Sequence, residues 1–254
     1  MLRSGGRAGG IGGGGGLDAG LGEGHSARMK IEYGVVLAGG KSKRMGRDKA
    51  TVEVGGLKML ERVTGVVAEL GLKVVVVGRE RPVEWKGQAE FLIDDAAAGE
   101  AFGGPVVGII TALERLREGA VVLGCDMPLI TAGLVGELIR AHEEGILAEG
   151  AVAGASHARR LVTMAVTVDE AGRERGEPML AVYGVGILPV LREMVRAGRR
   201  SLQGLMGREG VVGWRVPAVR EWEVLNVNDA DGLRRAEELV RGRERGAFGQ
   251  GGGR

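Results

Sequence analysis

Hydrophobic residues along the chain follow two rhythms. Short apolar runs at 35–37, 73–77, 90–93 and 120–123 suit strands buried on both faces. Between them, 59–70 and 106–117 repeat apolar residues three and four apart, the spacing of one helix face. Pro105 suits the first turn of the second helix, and Thr131 can cap a third over 132–144. From residue 151 the rhythm changes. Runs at 151–155, 161–168 and 180–185, with a polar turn over 169–177, predict a meander or antiparallel insertion. Helical patterns follow at 188–197 and 201–206, then a strand near 213–216. A last helix, 230 to about 243, carries Leu233, Ala236, Leu239 and Val240 on one face, with Asp229 as N-cap. Strands alternating with helices predict an α/β, three-layer, Rossmann-like fold: a mainly parallel sheet with a small antiparallel portion, and no internal repeat.

Composition narrows the picture. The 254 residues are 44% hydrophobic and 27% charged, enough for one domain with a substantial core. A net charge of +2 argues against a nucleic-acid-binding surface, so basic chemistry must be local. No apolar run is long enough to span a bilayer. The single cysteine, Cys125, excludes an intrachain disulfide and fits a reducing cytoplasm. Twelve of the first 24 residues are glycine, too many for a core. Residues 1–28 therefore read as a flexible tail, or as sequence upstream of a start at Met29, with 29–243 as the domain and 244–254 as a frayed Gly-rich tail.

One segment carries the chemistry. After the strand at 35–37 come Ala38, Gly39 and Gly40, then Lys41, Lys43, Arg44, Arg47 and Lys49. Paired glycines let backbone N–H groups approach a ligand, and clustered cations supply the charge a polyphosphate needs. No Gly-Lys-Ser/Thr closes a Walker A loop, and Gly-x-Gly-x-x-Gly is absent. Leu37, Gly39, Gly40, Ser42, Arg44, Met45, Gly46, Asp48 and Lys49 together resemble the signature Leu-x-Gly-Gly-x-Ser-x-Arg-Met-Gly-x-Asp-Lys of the molybdenum cofactor guanylyltransferases, within the nucleoside-diphospho-sugar transferase superfamily.

Other stretches extend the resemblance. Cys125-Asp126-Met127-Pro128, after the strand at 120–123, is similar to the family's metal-binding turn; a bare Asx-turn would also explain Asp126. Asn226-Val227-Asn228 is similar to its Asn-x-Asn turn, Asp95 to its strand-end aspartate, and Gly104-Pro105-Val106-Val107-Gly108 to its Gly-Pro-Leu-x-Gly helix start. At the second strand's end, where the family often has Asn, stands Val77-Gly78-Arg79. Arg199 and Arg200 precede Ser201, a plausible N-cap, and could form an anion site or simply be solvated. Cys125 has no histidine near it in sequence and reads as a buried small residue.

The resemblance implies a cytoplasmic nucleotidyltransferase fold and enzyme that moves GMP from GTP to molybdopterin, releasing pyrophosphate, with Mg²⁺ as cofactor. It implies that Leu37, Ala38, Gly39 and Gly40 cradle the nucleotide with Asp95, and that Arg44 and Lys49 hold the phosphates. Asp126 and Asn228 would be the metal ligands and Arg199 and Arg200 the acceptor contacts. Molybdoenzymes or their chaperones are the protein partners such an enzyme would serve. Cytidylyl transfer to molybdopterin, transfer to a sugar phosphate, and non-catalytic nucleotide binding or cofactor chaperoning stay open; Gly39-Gly40 in place of Ala-Gly favours GTP modestly.

Overall fold

In the computed structural model, which describes residues 30–39, 48–93, 104–150, 160–169, 171–199 and 201–249, the apolar runs become strands and the three-four patterns become helices. In chain order come β1 (Tyr33–Leu37), β2 (Glu53–Val54), β3 (Leu57–Lys58), α1 (Met59–Glu69), β4 (Lys73–Val77), β5 (Glu90–Leu92), α2 (Gly104–Leu116), β6 (Ala120–Gly124) and α3 (Ala132–Gly150). β7 (Val162–Val168), β8 (Glu174–Tyr183), α4 (Leu188–Arg196), β9 (Val211–Arg215) and α5 (Ala230–Gly249) complete the order.

Seven strands form one sheet in the order β5-β4-β1-β6-β8-β7-β9, and β2 pairs with β3 as a separate small hairpin. Only β8 runs against the others, antiparallel to both β6 and β7. Alternation along each strand sorts side chains to the two faces. Val36, Val76, Val121 and Leu123 join Leu60, Val63 and Val67 of α1 and Leu134 and Leu138 of α3. Val35, Val75, Val77 and Val122 join Ile109 and Leu113 of α2 and Leu191 and Met194 of α4. Each fully buried Val or Leu contributes about 1.5–3 kcal/mol, so these two faces hold the three-layer sandwich together. Close packing also dictates a glycine: a Cβ on Gly34 would lie 2.3 Å from Val67 Cγ1, so α1 could not sit as near β1 with any other residue. A third cluster seats α5 on the β2–β3 hairpin, through Ala236, Leu233, Leu239 and Val240 against Val52, Val54 and Met59.

The caps form as expected. Thr131 Oγ1 accepts from Leu134 N at 3.3 Å, and Asp229 Oδ1 accepts from Gly232 N at 2.8 Å. Several boundaries differ. The helix after Thr131 continues to Gly150, and the last helix reaches Gly249 past Arg243. In the latter, the helix formers Glu244, Arg245 and Ala247 outweigh the glycines over part of the stretch expected to fray. The strand expected at 151–155 lies outside the described residues. The helix expected at 201–206 is a single 3-10 turn, Leu202–Leu205, capped by Ser201.

The polar turn expected over 169–177 is half strand. Asp169 Oδ1 accepts from Ala171 N (3.0 Å) and Arg173 N (2.9 Å), closing a tight turn, and Glu174–Tyr183 is already β8. Polar side chains hide this strand from an alternation test because it is solvated there. On β6, pairing with β8 stops at Leu123↔Leu180, whereas β7 pairs with β8 out to Val168↔Glu174. The tip of the β7–β8 hairpin therefore stands beyond the end of β6, as a wall at the carboxyl rim of the parallel strands.

Candidate active site

Register puts the loops of interest on one rim. Leu37 pairs with Val77 on one side and Gly124 on the other, so β1, β4 and β6 end level. Ala38 N donates to Val77 O (2.9 Å) and Cys125 N to Leu37 O (3.1 Å), carrying the ladder one step into the turns. In such sheets ligands bind outside the carboxyl ends of the strands. Here that crevice receives Ala38-Gly39, Arg79 and Asp126.

Three distant segments meet there on one ammonium. Lys49 opens the 3-10 turn Lys49–Thr51, which Asp48 caps by accepting from Ala50 N at 3.0 Å. Lys49 Nζ donates to Asp126 Oδ2 at 3.3 Å and to Asn228 Oδ1. The Asn turn is pinned in turn, since Val227 N donates to Asp126 O at 2.8 Å. Gly124 makes room for this: a Cβ there would lie 2.6 Å from Asp126 Oδ1 and 3.2 Å from Met179 Cβ. The Lys49 and Asp126 side chains keep only 19% and 23% of their exposure, so charge at this point is felt more strongly than on open surface. An anionic carboxylate and an amide oxygen thus converge on a single cation position. Among the described residues, no group of three or more His, Cys, Asp or Glu gathers to hold a metal unaided.

Neighbouring groups have distinct chemistry. Burial, and then the Asp126 charge, push the Cys125 thiol up to about 12, so it stays protonated at neutral pH and is no nucleophile. Glu177, which lay in the expected polar turn, is a site neighbour the sequence reading missed. A bulge aims it: β7 pairs Met164 with Ala181 but the next residue, Ala165, with Glu177, leaving Pro178, Met179 and Leu180 without β7 partners. The signal was Pro178, because a proline inside a strand marks an edge or a bulge. Burial raises the Glu177 carboxyl pKa, with Asp126 adding repulsion, while Arg175, Thr167 and Asn226 partly offset the rise.

Gly40, Arg44, Asp95 and Arg200 lie outside the described residues. Arg199 is exposed, and its Nη2 lies 3.8 Å from Glu193 Oε1. The four-residue 3-10 turn that follows it has too little aligned dipole to make an anion site.

Residues 34–211 match the model of the MobA-like NTP transferase domain. The chain belongs to the MobA-like NTP transferase family. The matched span contains Lys49, Asp126 and Glu177 but stops short of Asn228. A molybdenum cofactor guanylyltransferase of Pseudomonas putida is 35% identical over 181 residues, 70% of this chain and 84% of that protein. A probable molybdenum cofactor guanylyltransferase of Opitutus terrae is 31% identical over 80% of this chain and 93% of its own length. The solved structure of molybdopterin-guanine dinucleotide biosynthesis protein A from Archaeoglobus fulgidus has a TM-score of 0.62 and 26% identity, covering 84% of this chain and all of that one. A Thermus thermophilus 2-C-methyl-D-erythritol 4-phosphate cytidylyltransferase, at 19% identity and a TM-score of 0.56, shares the fold. The MobA-like family is thus seen here with its nucleotidyltransferase fold intact, and the expected α/β class with a mainly parallel sheet holds. Among the described residues no helix is long and apolar enough to cross a membrane.

Proposed function

We propose that this protein is a cytoplasmic guanylyltransferase that moves GMP from GTP to the terminal phosphate of molybdopterin. The observation that carries the reading is the meeting of Lys49, Asp126 and Asn228 at the carboxyl rim of a MobA-like domain. An oxygen of the acceptor phosphate attacks the α-phosphorus in line. The bond from that phosphorus to the β-bridging oxygen breaks, and pyrophosphate leaves. Such chemistry asks for positioning and charge neutralisation more than for covalent help. Backbone N–H groups of Ala38, Gly39 and Gly40 would take the nucleotide, with Asp95 on its nucleoside side. Lys49 and Arg44 would take the phosphates. The acceptor phosphate is already an anion at neutral pH, so no general base is required.

Asp126 and Asn228 suit a magnesium ion. Both are hard oxygen donors, and both already face one positive charge, the Lys49 ammonium. Magnesium commonly takes one or two protein oxygens and completes its shell with phosphate oxygens and water. When bound, it would neutralise triphosphate charge. Asp126 and Asn228 would hold it, and Lys49 would turn to the phosphates. Arg199 and Arg200 remain the residues we assign to the acceptor, on the strength of their charge alone. Molybdoenzymes or their chaperones would then be the proteins that receive the product.

Purified protein incubated with Mg²⁺, each of the four nucleoside triphosphates and molybdopterin tests this. Pyrophosphate release should require molybdopterin and be fastest with GTP. Preference for CTP would make the protein a cytidylyltransferase, and nucleotide binding without turnover would make it a binding module.

A further inference from the structure

We propose that Arg79 is a positioning residue for Lys49, acting through Asp48; the proposal rests on the guanylyl-transfer reading for its kinetic consequence. Arg79 stands just past β4. Gly78, at φ +94°, turns the chain there, and its N–H donates to Leu92 O at 2.9 Å, which fixes where the arginine departs. The Arg79 side chain is largely covered, at 18% exposure, and reaches across the rim to Asp48 with two prongs, Nη2 to Oδ2 at 2.9 Å and Nη1 to Oδ1 at 3.5 Å. Nε is buried and has no hydrogen-bond partner among the described residues, so the carboxylate of Asp48 is what orients this guanidinium.

Asp48 is itself busy on its other side. Its Oδ1 accepts from Ala50 N (3.0 Å), and its backbone carbonyl accepts from Thr51 N (3.1 Å) and Thr51 Oγ1 (2.8 Å). These bonds shape the single 3-10 turn that begins at Lys49. A turn this short has little stability of its own, and a half-exposed carboxylate would otherwise be drawn to water. Clamped by Arg79, the carboxylate holds the turn, and the turn aims Lys49 at Asp126 and Asn228. Bidentate pairing fixes direction as well as distance, which lysine at position 79 would do less well.

The test compares wild type, Arg79→Ala, Arg79→Lys, Asp48→Asn and the Arg79→Ala/Asp48→Asn double variant. Pyrophosphate release is measured with GTP and molybdopterin, and amide hydrogen exchange over 48–52. Arg79→Ala should lower kcat about tenfold, a loss typical of a catalytic group slightly misplaced. KM for GTP should rise by a smaller factor than kcat falls, because Lys49 still reaches the phosphates but no longer from the fixed position that the transition state needs. Arg79→Lys should recover part of the kcat, and the double variant should be no slower than Asp48→Asn alone. Exchange over 48–52 should quicken in Arg79→Ala and Asp48→Asn. Multiplicative losses in the double variant, or a loss confined to KM for GTP, would overturn the proposal in favour of direct substrate contact. Unchanged exchange over 48–52 would also overturn it. Exchange needs no turnover, so an inactive wild type would count against the guanylyl-transfer reading while the clamp was still judged.

Discussion

The two halves of the sheet serve the site by opposite means. In β5-β4-β1-β6 the strands are parallel and stop together, and Ala38, Gly39, Arg79 and Asp126 lie just past strand ends. In β8-β7-β9 one strand is reversed, and the site is approached by residues inside a strand, on a hairpin that overshoots the rim. The parallel half supplies charge; the second half supplies a wall and, through the 3-10 segment Ala218–Val224, the route by which Asn226 and Asn228 return. Level strand ends gather loops automatically. A reversed strand must be bulged to aim a side chain at the same place.

The sharpest way to break this division is Asp126→Asn in the parallel half. Removing one anionic oxygen ligand should slow turnover by about three decades, roughly 4 kcal/mol, with the melting temperature little changed. A variant keeping a tenth of wild-type pyrophosphate release would strip Asp126 of its role.

The second half should respond to loss of an anchor with lost stability. Arg220 Nε pairs with Glu223 Oε1 at 2.6 Å, Nη1 with Glu137 Oε1 at 2.8 Å, and Nη2 donates to Thr131 Oγ1 at 2.9 Å, tying the returning segment to the start of α3. Glu223 is only 2% exposed. Arg220→Ala leaves that carboxylate with the Thr131 hydroxyl but without its counter-charge, and should cost about 3 kcal/mol, or roughly 6–12 °C in melting temperature. Adding Glu223→Gln should return part of it. A silent Arg220→Ala in thermal unfolding would show that the Asn turn is held by the parallel half alone.

How much of this was legible follows the same line. Strands of the parallel half could be read because they are apolar on both faces, and Lys49 and Asp126 because a dense signature surrounds each. Glu174–Glu177 could not, because a strand bathed in solvent shows charged residues where alternation looks for apolar ones. Arg79 was visible only as a departure; its partner, Asp48, is 31 residues away, a pairing no local pattern encodes. The hairpin β2–β3 was missed because two-residue strands are too short for any period.

The smallest expected effect concerns the wall. The raised Glu177 carboxyl pKa means the folded state binds its proton more tightly than the unfolded chain does. Its penalty is therefore absent below the ordinary value of 4.5 and sets in as pH rises through the raised value. Glu177→Gln should lift the melting temperature on the order of 1–2 °C at pH 7.5 and leave it unchanged near pH 4. A lowered melting temperature at pH 7.5 would show that the ionised carboxylate stabilises the hairpin.

The contact between Lys49 and Asn228 joins residues 179 positions apart. On the ribosome, the parallel strands emerge and can pair long before the Asn turn exists. A nascent chain that stops short of the Asn turn can hold most of its sheet, yet its Asp126 loop has no Val227 amide to brace it and Lys49 lacks the Asn228 oxygen. Competence for transfer therefore waits on the Asn turn and on α5 folding back over the β2–β3 hairpin. Docking of the Asn turn, rather than formation of the sheet, is the event that completes the site.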